Sequence, residues 1–217
     1  MIETLFNKRE LFLQPSFEED WSTINAAFEV LAKGYKIYRL SEQEKQVLEQ
    51  QLKAFSLLKN YISVSFVDAL LLEKDSVRFN LVLLKINSEV SIKNRYHIKK
   101  ENTVEYEFIG ILNLNQSFGH VIIRPETFKD KISELFNKVD IDFDDESEFS
   151  KKYFVSASDE NTVIEKFPRA ILHLVGKQSG MHLEIIHSQL VIQFKKRLTQ
   201  ENTVKIAHLA SQILENQ

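Results

Sequence analysis

Ala69 to Ile86 reads ALLLEKDSVRFNLVLLKI, and the reading of this stretch decides the fold. Two apolar runs flank a polar break near Lys74 and Asp75. Each run is too short for a separate helix and is rich in residues that favour strands, which predicts an antiparallel pair joined by a tight turn. Upstream, Ile62, Val64 and Phe66 alternate with Ser63 and Ser65, so the period of two begins at Tyr61. Downstream, TVEYEFIGILNL and FGHVIIRPE continue the pattern across the turn-like NQS, and Pro125 ends it. The middle of the chain is therefore expected to form an antiparallel sheet of roughly four or five strands.

Helical patterns precede this sheet. Ser16 and Glu19 have capping-box spacing, Phe17, Trp21, Ile24, Phe28 and Leu31 share one face, and Gly34 suits a left-handed stop. The polar face carries Glu18, Glu19, Asp20 and Glu29 against Lys33, a balance that anionic lipid would repel, so the helix is expected to pack on the protein's own body. After an extended YKIYR, Ser41 and Glu44 repeat the capping spacing, and Val47, Leu48, Gln51, Leu52, Phe55 and Leu58 follow at helical intervals. Beyond the sheet, a helix is expected over Thr127–Lys138, a strand at KYFVSA and a helix beginning near Pro168. A hairpin turning at His187 to Gln189 and a terminal helix capped by Thr199 complete the chain. The predicted class is α+β, a central antiparallel sheet with helices packed against it. It is read as one unit over 1–217, with possible sub-lobes 1–124 and 125–217. The tetrapeptide ENTV occurs at Glu101, Glu160 and Glu201, at unequal spacing that does not define a repeat.

The composition fits such a unit: 217 residues, 43% hydrophobic and 11% aromatic, with only 5 Gly and 3 Pro to supply linkers. Against 31 acidic residues stand 28 basic ones, a net charge of −3 that argues against a dedicated nucleic-acid binder. The absence of cysteine excludes disulfides, thiolate nucleophiles and Cys-type zinc sites, and fits a reducing cytoplasm. The opening MIETLFNKRELFLQPSF has charges throughout and no leader pattern, and no apolar run approaches the roughly 18 residues of a membrane span. A cytoplasmic protein without a transmembrane segment is expected.

Candidate chemistry is sparse. Asp140, Asp142 and Asp144 match the opening of a calcium loop, but Asp145 stands where that loop needs Gly and Lys151 where it needs Glu. With Ile141 and Phe143 between them, the stretch reads as a solvated edge strand or loop with one wet face. The histidines at 97, 120, 173, 182, 187 and 208 form no ligand spacing and read as surface or capped residues. No nucleophile elbow, Walker loop or dinucleotide loop is present, so no catalytic residue, metal ligand or cofactor is assigned. KNRYHIKK offers a weak nucleic-acid or anion candidate through Lys93, Arg95, Tyr96, Lys99 and Lys100, the competing reading being a solvated tip between strands. The KKR at Lys195 to Arg197 joins it only if the fold brings the two together.

IDFDDESEFSKKYFV, with Glu146, Phe149, Ser150, Lys151, Lys152, Tyr153 and Val155 in order, resembles the signature of a family of uncharacterised bacterial domains of unknown function. GYKIYR, LKAFSLL, VIIRPE and LEIIHSQLVIQF follow the same order, over roughly residues 34 to 214. The resemblance implies a bacterial domain often attached to N-terminal transmembrane segments, in place of which this chain has the helix from Ser16. It implies no catalytic residue. Phe149, Tyr153 and Val155 read as core anchors, with the two lysines neutralising the preceding carboxylates. The expected function is a non-catalytic protein-interaction or scaffold module whose partner is another protein. The alternative is a small-molecule-binding or enzymatic domain with a pocket between sheet and helices.

Overall fold

The computed structural model describes residues 17–59, 61–93, 98–126, 140–194 and 198–217; of 17–20, 90–93, 98 and 99 it describes the backbone. The expected helix over 127–138 and the Ser16–Glu19 capping box lie outside these residues.

The stretch at Ala69–Ile86 forms the predicted hairpin, β2 (Ser63–Lys74) and β3 (Val77–Lys93), with Lys74 facing Val77 across a two-residue turn. Asp75 takes a positive φ of 52° there, a conformation its short polar side chain tolerates. β1 (Lys36–Arg39), β4 (Ile98–Asn113), β5 (His120–Pro125), β6 (Tyr153–Ala157), β7 (Met181–Ile186) and β8 (Gln189–Phe194) join them in a single antiparallel sheet of eight strands, ordered β1-β2-β3-β4-β8-β7-β5-β6. The central sheet is thus larger than the four or five strands expected. The strands at KYFVSA and MHLEIIHSQLVIQF are not a separate layer but its far half, because β8 pairs with β4 through Ile109↔Gln193 to Asn113↔Gln189.

Each central strand is apolar on both faces, so the sheet has two cores. On the first face, α1 (Phe17–Leu31) and α6 (Gln200–Glu215) pack together, and α6 lies across β3, β4 and β8. Ile24, Phe28 and Leu31 of α1 and Ile206, Ala207 and Ala210 of α6 are buried there, with Trp21 partly buried against them. The first helix therefore packs on its own sheet, as expected. Gly34 does not take the left-handed stop expected of it; the glycines with positive φ are Gly119 and Gly180. α5 (Arg169–Gly176), which begins after Pro168 as expected, joins the same core, flanked by the short helices α3 (Ser147–Ser150) and α4 (Glu160–Lys166).

The second face carries α2 (Glu42–Leu52), whose Ser41–Glu44 capping box is formed on both sides. Leu48 and Leu52 of α2, with Phe55 and Leu57 beyond it, pack on Val82, Leu84, Ile109, Ile111 and Val191. The helical spacing continued to Leu58 breaks after Leu52, and Ser56–Leu58 is a single 3₁₀ turn instead. Lys45 of α2 reaches the buried Asp68 of β2 at 2.8 Å. Asp68 lies at an irregularity where the register shifts between Phe66 and Asp68.

Of the solvated edge strand or loop expected of the acidic stretch, the structure takes the loop. Residues 140–143 run without regular structure into a 3₁₀ turn, Asp144–Glu146, and then α3. Ile141 and Phe143 are nevertheless buried while Asp142 and Asp144 are exposed. Phe149, Tyr153 and Val155 are core residues, the Phe149 and Tyr153 rings stacking at 5.3 Å between centroids. Lys152 does not neutralise a carboxylate: its Nζ donates to the Gly176 carbonyl at the C-terminus of α5, at 2.6 Å.

Candidate ligand-binding site

Between α2 and the second face of β2 and β3 lies a cavity of about 300 Å³. Its walls are Leu52, Phe55, Leu58, Val64, Phe66 and Leu84, with Tyr61 and Ser63 as polar members and Glu49, Lys53 and Lys59 around it. A second space of about 460 Å³ lies beside the same helix, over Leu40, Leu48, Leu71 and Ile111, edged by Gln43, Gln51 and Gln189. Both exist because one short helix covers a face whose counterpart is covered by two long ones.

The wall formed by Phe55 and Leu58 is held by a carboxylate from the far half of the sheet. Glu184 of β7 is fully buried; its Oε1 accepts the Ser56 N–H at 2.9 Å and its Oε2 the Leu57 N–H at 2.8 Å. Oε1 also takes a 2.7 Å hydrogen bond from His120 Nε2. In a neutral ring this places the imidazole proton on Nε2, since a carboxylate only accepts. A buried carboxylate without donors would cost several kcal/mol; three donors offset that, and in return the first N–H groups of the 3₁₀ turn are fixed to the sheet.

A second polar group stands behind Tyr61. Gln193 of β8, fully buried, donates through Nε2 to the Tyr61 hydroxyl at 3.1 Å and to Glu107 Oε2 at 3.0 Å. Burial, and then the Glu107 charge, push the Tyr61 phenol well above its ordinary value, outweighing the amide hydrogen bond, so it stands in the cavity wall as a neutral hydroxyl.

The sequence candidates fall elsewhere. Lys93 and Lys99 sit at the end of the β3–β4 hairpin, paired with Ile98 and Ile92. Arg95 and Tyr96 lie outside the described residues. Lys100 is matched by Glu89 at 2.8 Å. Gln193, the last residue of β8 paired with β4, faces Ile109, eleven residues along β4 from Ile98 and hence about 35 Å from that end. The KKR that follows lies outside the described residues, between the buried Phe194 and Leu198. In the acidic stretch, Asp140 Oδ1 accepts the Val155 N–H and Asp145 pairs with Arg169 at 2.6 Å, so two carboxylates of the calcium-like run are structural. Among the described residues no group of His, Asp and Glu has metal-binding geometry.

Sequence reasoning missed Glu184, Gln193, His182 and Glu107. His182 is buried, not a surface or capped residue, and His120 is half-buried against Glu184. The signal was present: His182 and Glu184 alternate with Leu183 and Ile185, but alternation of that kind ordinarily marks a wet face. Comparison of the chain with family models, curated proteins and solved structures found no match. Fold and site therefore define the class alone: an α+β domain with an eight-stranded antiparallel sheet and a cavity under a short helix. Among the described residues no helix is long and apolar enough to cross a membrane.

Proposed function

We propose that the chain is a non-catalytic domain that holds a small molecule in the cavity between α2 and the sheet. The observation that carries this reading is the cavity's position and lining: about 300 Å³ of mostly apolar space at a helix–sheet junction, with Tyr61 in its wall, held through its hydroxyl by Gln193, and Glu184 bracing one side. Pockets that bind small molecules begin at about this size and have this mixture of apolar walls and few polar groups. The reading places the domain in the cytoplasm of a bacterium, in line with the cysteine-free composition and the resemblance noted above. Native mass spectrometry of the chain released gently from its host tests it. A single small-molecule adduct, lost in Val64→Trp, which extends a half-buried wall residue into the cavity, is the expected result; wild-type protein without any adduct would count against it.

A protein-interaction role is the second reading, favoured by the β3–β4 hairpin. β2 stops pairing with β3 at Ser63↔Asn87, whereas β3 and β4 continue for six further pairs, Ser88↔Thr103 to Lys93↔Ile98. This arm of about 20 Å is a surface another protein could grip. A protein captured by the intact chain and lost when Ser91–Lys100 is replaced by a short turn would favour this role over the first.

A further inference from the structure

We infer that the cavity beside α2 takes a small amphiphile with one negative charge: a monocarboxylate carrying a medium-length alkyl chain or a single aromatic body. The inference rests on the ligand-binding reading and adds the ligand's class. Three observations converge on it.

The walls set the body. Leu52, Phe55 and Leu84 are buried and Leu58, Val64 and Phe66 half-buried, so a charged or heavily hydroxylated body would lose its hydration against groups that return no hydrogen bonds. The volume, at the lower end for ligand sites, is too small for a two-chain lipid or a dinucleotide.

The mouth sets the charge. The titratable groups lining the cavity are Glu49, Lys53, Lys59 and Tyr61; Glu107 and, more weakly, Glu105 act on Tyr61 from outside the lining. Tyr61 contributes a neutral hydroxyl, as its raised pKa requires. Lys53 and Lys59 are exposed and, among the described residues, neither forms an ion pair, whereas the neighbouring Lys45 is committed to Asp68 and Glu42. Among the lining groups two ammonium groups stand against one carboxylate, so the rim is net positive, while Glu107 lies buried and is hydrogen-bonded by Gln193. Glu44, the nearest other acid of α2, is occupied by Ser41.

The brace removes the competing anion site. Backbone N–H groups at the start of a helical turn attract anions, but those of Ser56 and Leu57 are already taken by Glu184. An anionic head at this cavity is therefore met by the lysine side chains, and the charge preference should disappear with them.

Isothermal titration of the full chain with octanoate and with 1-octanol at low salt tests this. The expected result is one-site binding of both, octanoate about tenfold tighter, and loss of that preference, read as the ratio of the two affinities, in Lys53→Glu/Lys59→Glu. Both lysines are exposed, so folding is not at stake, and circular dichroism checks it. Equal binding of acid and alcohol by the wild type, or a preference that survives the double substitution, overturns the inference and leaves the pocket reading standing. If neither compound binds, or if Val64→Trp binds both as well as the wild type does, the pocket reading itself fails.

Discussion

The carboxylate of Asp140 stands in for a ninth strand: its Oδ1 accepts the backbone N–H of Val155 at 2.9 Å, while the N–H of Ile141 donates to the Val155 carbonyl, also at 2.9 Å. β6 is the edge of the sheet beyond β5, and an open edge invites pairing with other chains. One aspartate and one peptide group close it at its centre. Asp140 also opposes the fall in pKa that burial imposes on Arg124, whose guanidinium lies over the Phe154 ring at 4.2 Å. Asp140→Ala should lower stability by about 1–3 kcal/mol, seen as a lower urea midpoint with an unchanged slope, and Asp140→Asn, which keeps an oxygen acceptor, by less. An alanine variant as stable as the wild type would show that the edge is held by other groups.

Lys45 and Asp68 tie α2 to the second face, with side chains 15% and 8% exposed. Removing one member leaves the other nearly buried without its counter-charge. Lys45→Met is expected to cost about 3 kcal/mol. The double variant Lys45→Met/Asp68→Leu should recover part of it, and a double-mutant cycle that shows no coupling would assign the helix's attachment to Leu48 and Leu52 alone.

Gly110 of β4 permits the close approach of α6. A Cβ built on it would lie 2.9 Å from Cγ2 of Ile206. Gly110→Ala should destabilise by about 1–3 kcal/mol through overpacking, and the same change should cost less in an Ile206→Ala background, which lacks the crowding Cγ2. Thermal unfolding in the two backgrounds checks this; an equal cost in both would place the strain elsewhere.

Alkaline pH should unfold the chain. Burial pushes Tyr153 up to about 12 from an ordinary 10.0 and raises Tyr35 and Tyr61 as well. Burial opposes the rise at Lys45, but hydrogen bonds and charges from Asp68 and Glu42 outweigh it. Groups with raised folded-state pKa values contribute stability that is complete below the unfolded value and is lost as pH rises through the folded one. Stability should therefore decline between pH 10 and 12, with tyrosinate absorbance appearing together with the loss of secondary structure. Gradual tyrosine titration in a chain that stays folded would contradict the burial of these phenols.

The strands were legible because they are short apolar or alternating runs bounded by turns, two of which carry Asp75 and His187 at positive φ. Capping was legible at Ser41 and Thr199 for the same reason: the signal lies within four residues. The cavity was not legible. Its wall is fixed by Glu184, 128 residues from Ser56, and Tyr61 is held by Gln193, 132 residues away. No local pattern encodes such pairings.

The three copies of ENTV mark the boundary between what sequence and tertiary structure decide. At Glu160 and Glu201 the tetrapeptide lies in the first turn of α4 and α6, where Asp159 accepts the Thr162 N–H and Thr199 the Asn202 N–H. At Glu101 the same residues belong to β4, with Glu101 opposite Val90 and Thr103 sharing a hydroxyl hydrogen bond with Ser88. Thr199 just upstream made the copy at Glu201 readable from the sequence, whereas the helix at Glu160 and its Asp159 cap were not anticipated. The strand copy was fixed by a partner strand, because four residues of middling propensity gain less from their own backbone preference than from a ladder of hydrogen bonds already in place. The sequence by itself determined the alternation, the caps and the turns. The tertiary structure decided that all eight strands share one sheet, that Glu184 braces a wall from its far half, and that one short helix leaves a cavity between itself and that sheet. These depend on contacts between distant segments, whose free energy is realised only when the chain has closed around them.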